Sequence, residues 1–133
     1  MQHHILVIDD EPEVRDVIRL QLGATRYLVL EAGDGEQGIE LLNDNALTVD
    51  VIICDVRMPK INGVEAVSYF HREYPSTPVI VLTGYPDVNL AVEFMKKGAV
   101  EYLVKPVEKA QLVDAVEKAA AQRALFTGDR AME

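Results

Sequence analysis

The chain has 133 residues, with 13 Lys and Arg against 22 Asp and Glu, a formal charge of −9, and a length that fits one domain. Its 49% apolar and 26% charged residues exclude a disordered chain, and its acidity argues against direct binding of nucleic acid, whose affinity rests on Lys and Arg. No apolar run approaches the roughly 20 residues of a membrane helix, and the single Cys54 excludes a disulfide framework and a Cys-rich zinc site.

The start, Met1-Gln2-His3-His4, lacks the charged opening and long apolar stretch of a signal peptide, so a soluble cytoplasmic protein is expected. His4-Ile5-Leu6-Val7-Ile8-Asp9 is an apolar run of strand length that stops at acid. Glu11-Pro12 opens a helix, Pro being tolerated in a first turn. Val14, Val17, Ile18 and Leu22 recur at helical spacing, and Gly23 supplies a stop. Tyr27 to Glu31 reads as the second strand, and Asp34 as the cap of a helix carrying Ile39, Leu41 and Leu42. The third strand is Val51 to Asp55; a loop through Met58-Pro59 and Asn62-Gly63 leads to a helix with Val64, Val67 and Phe70 on one face. Pro78 to Thr83 is the fourth strand, followed by a helix marked by Val88, Ala91, Val92 and Met95 and ended by Gly98. Glu101 to Val104 is a short fifth strand, and the last helix carries Leu112, Val113, Val116, Ala119 and Ala120. Thr127 to Glu133 have no periodicity and read as a frayed tail or the start of a linker.

Five strands alternating with five helices are βα units on one parallel sheet. Strands 1, 3 and 4 are apolar on both faces, as expected where helices cover both sides. Right-handed crossovers then predict an α/β, doubly wound, five-stranded parallel sheet, since five units are too few for an eightfold barrel. Open sheets of this kind bind ligands outside the carboxyl ends of their strands. Those ends carry Asp9 and Asp10, Asp55, Thr83 and Lys105.

Three carboxylates packed together repel one another, and a hard divalent cation such as Mg²⁺ relieves the repulsion. Lys105 can add positive charge for a phosphoryl group and Thr83 a hydroxyl donor. The set suits metal-assisted phosphoryl chemistry with a carboxylate as nucleophile. Each residue also has a plainer reading: Asp9 or Asp10 as a helix cap, Thr83 as an ordinary strand end, Lys105 as a solvated loop lysine. Their coincidence at four strand ends favours a site.

Together, Ile8-Asp9-Asp10-Glu11, Asp55-Val56-Arg57-Met58-Pro59 with Gly63, Leu82-Thr83-Gly84, Gly98-Ala99 and Tyr102-Leu103-Val104-Lys105-Pro106 resemble a response-regulator receiver domain, the phosphoacceptor module of two-component signalling. The resemblance spans about residues 3 to 123, leaving 124–133 as a flexible tail or the start of a linker after a receiver domain over 1–123. Many family members carry Ala where Gly84 stands. The resemblance implies a flavodoxin-like (βα)5 sheet in strand order 2-1-3-4-5. It implies that a sensor histidine kinase or phosphotransfer protein phosphorylates Asp55. Mg²⁺ would be held by Asp10, Asp55 and the backbone carbonyl of Arg57, with Asp9 acting directly or through water. Thr83 and Lys105 would contact the phosphoryl group, and a cis bond is expected before Pro106. Tyr102 matches the aromatic switch position, its plainer alternative being a half-buried strand tyrosine. The face of helix 4, strand 5 and helix 5 would then serve an output domain, a downstream protein or a second copy of the chain. Gly84 and Pro86 bracket the loop after Thr83, mixing a flexible position with a stiff one.

Other signals carry less. Gly33-Asp34-Gly35-Glu36-Gln37-Gly38 satisfies G-x-G-x-x-G, but Asp34 and Glu36 would sit beside any pyrophosphate, and a turn with a helix cap explains it better. His3, His4 and His71 suggest no metal cluster; Cys54 reads as a small buried hydrophobe. Lys96-Lys97 reads as a helix end favoured by the dipole, and Glu108, Glu117 and Lys118 as a solvated face. A rival function is a Mg²⁺-dependent aspartyl-phosphate phosphohydrolase resembling the haloacid-dehalogenase-like enzymes. Those place a general acid two residues after the nucleophile, where this chain has Arg57, so only self-phosphorylation and slow self-dephosphorylation are expected. A phosphorylation-independent binding module is the third reading, and the intact acidic, hydroxyl and lysine set speaks against it. About ten residues follow the last helix, too few for an output domain, so the chain is either a stand-alone receiver or part of a longer regulator.

Overall fold

Whether an apolar run becomes a strand or a helix depends here on how many faces it must bury. The computed structural model describes residues 2–23, 26–56 and 63–132, the last seven in backbone only. Its elements are β1 (His3–Ile8), α1 (Pro12–Leu22), β2 (Tyr27–Ala32), α2 (Gly35–Asp44), β3 (Val49–Asp55), α3 (Gly63–Glu73), β4 (Val79–Thr83), α4 (Val88–Lys96), β5 (Glu101–Val104) and α5 (Lys109–Met132). All strand pairs are parallel, in the order β2-β1-β3-β4-β5. Alternate residues of each central strand enter opposite cores. Ile5 and Val7, Val51 and Ile53, Ile80 and Leu82 pack with Ile18, Leu112 and Val116 of α1 and α5. Leu6 and Ile8, Ile52 and Cys54, Val79 and Val81 pack with Leu42, Val67, Phe70 and Phe94 of α2, α3 and α4. Double-sided burial is the reason these runs are continuous rather than alternating. Among the described residues no helix is long and apolar enough to cross a membrane.

Local chemistry sets the element ends. Asp34 caps α2, its side chain accepting from Gln37 N at 2.8 Å, while Gln37 Oε1 reaches back to accept from Gly33 N, the residue before the cap, at 2.8 Å. A Cβ on Gly38 would lie 2.5 Å from Ile8 Cδ1, so the third glycine of G-x-G-x-x-G lets α2 approach β1. Asp87 caps α4 through Asn89 N and Leu90 N. Gly98, at φ +118, turns the chain into β5, and a Cβ there would fall 2.3 Å from the His71 ring. Both the backbone and the packing demand glycine.

α5 runs on to Met132, past the apolar stripe ending near Ala120. The backbone of 124–132 is therefore helical where the lost periodicity predicted a tail. Ala124, Leu125, Arg130, Ala131 and Met132 favour helix, while Thr127, Gly128 and Asp129 between them do not. Beside the start of this extension lies the buried Arg123. Its guanidinium donates to Asp50 Oδ1 at 3.2 Å, Thr77 Oγ1 at 3.1 Å and Leu47 O at 3.1 Å. Asp50 Oδ2 accepts from His4 N at 2.8 Å. One carboxylate thus joins the start of β1 to the far part of α5, at the pole opposite the strand carboxyl ends.

Candidate functional site

The strand register builds the site. Ile8 lies level with Cys54, Asp55 with Leu82, and Thr83 with Val104, so the rim climbs by one residue per strand from β3 to β5. Lys105 follows at its highest point, and its long side chain reaches back. Nζ stands 2.8 Å from Asp9 Oδ2, 3.3 Å from Asp55 Oδ2 and 3.6 Å from Glu11 Oε1. Asp9 and Asp55 are only 1% and 4% exposed, and a buried carboxylate requires such a partner. Asp10 and Glu11 are exposed at the mouth. One carboxylate oxygen from each of Asp9, Asp10, Glu11 and Asp55 lies within 4.8 Å of the others.

Burial lowers the basicity of the Lys105 ammonium. The hydrogen bond to Asp9 and the charges of Asp55 and Asp9 outweigh it, leaving the group above its ordinary value. The same charges act on Cys54. Burial first, then Asp55 and Asp9, push its thiol up to about 12, so it is a packed hydrophobe rather than a nucleophile.

A cleft of about 270 Å³ opens over the cluster, lined by Asp10, Glu11, Asp55, Gly84, Tyr85 and Lys105. Thr83, 1% exposed, lies on the same rim, its Oγ1 accepting from Tyr85 N at 3.1 Å. The Lys105–Pro106 peptide bond is cis. Tyr102 is half-buried, its ring stacked on Phe94 with centroids 6.3 Å apart and its hydroxyl accepting from Asp87 N at 3.4 Å. The backbone carbonyl of Arg57, the fourth expected metal ligand, lies outside the described residues. The donor set is all carboxylate oxygen, which suits a hard cation such as Mg²⁺ and not a soft one.

Two contributors escaped the sequence reading as site residues. Glu11 joins the acidic cluster, although it reads as the residue before a helix-opening proline. Arg15, on the first turns of α1, donates from Nη1 to the Asp9 carbonyl at 2.6 Å and from Nε to Glu31 Oε1 at 3.1 Å. Its position six residues after Asp9 in an amphipathic helix reads as a solvated charge. Only the fold of α1 over the end of β2 reveals its partners.

Comparison with known proteins agrees with this geometry. The family profile described as Response regulator receiver domain matches residues 5–117. Transcriptional regulatory protein GlrR of Escherichia coli (strain K12) is 33% identical over 127 residues, covering 96% of this chain and 28% of GlrR. The C4-dicarboxylate transport transcriptional regulatory protein DctD of Pseudomonas aeruginosa is 35% identical over 134 residues, 98% of this chain and 28% of DctD. The chain thus spans just over a quarter of the length of these relatives. The crystal structure of a response regulator receiver domain protein from Clostridium thermocellum superposes with a TM-score of 0.87 at 35% identity, covering 94% of this chain and 99% of that one. Fold, acidic rim and sequence agree: the chain belongs to the response regulator receiver domain family of two-component systems.

Proposed function

We propose that Asp55 is the phosphoacceptor of this receiver and that Asp9, Asp10, Thr83 and Lys105 serve its phosphorylation. The observation that carries the reading is the Lys105 ammonium set between the buried Asp9 and Asp55 carboxylates, with the Thr83 hydroxyl on the same rim. An Asp55 oxygen forms a P–O bond as the P–N bond of a donor phosphohistidine breaks, and the imidazole leaves with the electron pair and takes up a proton. Acetyl phosphate offers the same phosphoryl group with acetate as the leaving group. Asp9, Asp10 and Asp55, with the Arg57 carbonyl, are the groups that would hold Mg²⁺, which when bound neutralises charge on the transferred phosphoryl. Lys105 contributes a fixed positive charge from the protein itself. Self-phosphorylation from small donors and slow self-dephosphorylation are the only catalysis in this reading.

The phosphoryl group adds roughly −1.5 to −2 charge and strong acceptor oxygens. The Thr83 hydroxyl then turns its O–H from the Tyr85 carbonyl, to which it donates at 3.5 Å, to a phosphoryl oxygen, and Tyr102 moves inward from its stack on Phe94. The face of α4, β5 and α5 responds. Its exposed Val88, Val92, Met95 and Val104 support its use as an output surface, towards an output domain, a downstream protein or a second copy. A sensor histidine kinase or phosphotransfer protein is the donor, and the location is cytoplasmic. The switching unit is residues 1–123, and 124–133 lead out of it.

Intact mass after incubation with acetyl phosphate, with Mg²⁺ and with chelator, tests the assignment. A single added phosphoryl that requires Mg²⁺ and is absent in Asp55→Asn supports it. An unmodified wild type that is also refused by a phosphohistidine donor, or a labelled Asp55→Asn, overturns it.

A further inference from the structure

We propose that Arg15 is a positioning residue for the acidic site, holding the Asp9-Asp10-Glu11 turn in the shape that takes up Mg²⁺. The inference rests on the reading of that cluster as the phosphorylation site. Only three residues separate β1 from α1, and two of them are expected ligands. The β1–β2 ladder ends at Ile8 with Ala32. Asp9 N still donates to Ala32 O at 3.0 Å, but the Asp9 carbonyl lies beyond the ladder and accepts from Arg15 Nη1 at 2.6 Å. On the other side of the turn, Glu11 gives α1 no side-chain cap. Within the turn Glu11 N donates to Asp9 Oδ1 at 2.9 Å, and the Asp9 backbone carbonyl is braced from α1, by Arg15.

The same guanidinium is anchored at its other edge. Arg15 Nε donates to Glu31 Oε1 at 3.1 Å, and Glu31 Oε2 accepts from Arg19 Nη1 at 2.5 Å. Arg19 is itself tied to Asp16 at 2.8 Å. One rigid plane thus spans the carbonyl of Asp9, just after β1, and a β2 carboxylate, with its side chain only 18% exposed. Lysine offers a single point of charge and cannot bridge both partners in that plane. Groups behind the ligands orient them and thereby set metal affinity.

The sign of the effect separates positioning from charge. Arg15 is a cation next to an acidic cluster, so through charge alone its removal would tighten Mg²⁺ binding. Positioning predicts weaker binding. Titration calorimetry with MgCl₂ on wild type, Arg15→Gln, Arg15→Lys and Glu31→Gln reads this directly. The Mg²⁺ dependence of acetyl-phosphate labelling gives a second reading, and thermal unfolding in chelator monitors the fold. Expected is a Kd for Mg²⁺ raised about tenfold in both Arg15 variants and less in Glu31→Gln, with labelling recovering towards the wild-type rate at saturating Mg²⁺. A Kd unchanged or lowered in Arg15→Lys overturns the proposal, even if the melting temperature falls, because Arg15 is then only a structural brace. If Arg15→Gln does not fold, Arg15→Lys and Glu31→Gln decide. Labelling of Asp55→Asn at the wild-type rate would defeat the phosphoacceptor reading instead, leaving the Arg15 inference to the metal titration alone.

Discussion

At the scale of single residues, Lys105 and Cys54 show how the acidic rim governs its neighbours. Lys105 places its ammonium within reach of Asp9, Asp55 and Glu11. Lys105→Met is expected to destabilise the chelated protein by roughly 1–3 kcal/mol, because two buried carboxylates lose the ammonium set between them. Added Mg²⁺ should stabilise that variant more than wild type, as thermal unfolding with and without the metal would read. Cys54 gives a pH dependence. Its thiol ordinarily ionises near 9.0 but is held up to about 12 in the fold, by burial first and then by Asp55 and Asp9. Between those values the folded chain retains a proton that the unfolded chain has lost. Stability carried by this group is complete below pH 9 and declines as pH rises towards 12. Denaturant titrations at pH 8 and pH 10.5 should show a steeper decline for wild type than for Cys54→Ala; parallel declines would contradict the shift.

At the scale of elements, glycines and polar ties fix how helices meet the sheet. Gly98→Ala forces a positive φ on alanine and drives its Cβ to 2.3 Å from the His71 ring. The backbone strain alone is worth roughly 1–3 kcal/mol. Gly98→Ala with His71→Ala should recover only the part due to the clash, and chemical denaturation of the two variants separates the terms. At the opposite pole, Arg123→Met removes the guanidinium from Asp50, Ser76, Thr77 and Leu47 in one step. Breaking a buried pair in this way costs about 3–5 kcal/mol, with Asp50 partly open to solvent and the cost towards the lower bound. Denaturant midpoints should fall while acetyl-phosphate labelling of the folded protein holds its wild-type rate, since the acidic rim lies at the other end of the strands.

At the scale of the whole molecule, what the sequence reveals depends on how many residues must act together. Strands β1, β3 and β4 are legible because burial on both faces leaves unbroken apolar runs, and the rule that ligands gather at strand carboxyl ends then brings Asp9, Asp55, Thr83 and Lys105 together. Strand order was legible only through family resemblance, since alternation alone does not order a sheet. Arg15 with Glu31, and Arg123 with Asp50, were not legible. These pairs lie 16 and 73 residues apart and form only once helices are laid on the sheet. The helical extension to Met132 is not legible for a different reason: apolar periodicity marks helices that pack, and the sequence at the end of α5 carries no such period. The tie at Asp50 also bears on transplantation. Its two oxygens accept from His4 in β1 and from Arg123 past the middle of α5, so the first strand and the last helix are stitched at one carboxylate. A receiver grafted onto a foreign effector should therefore keep its native stability only if the splice lies beyond Arg123 and leaves the His4 amide in place.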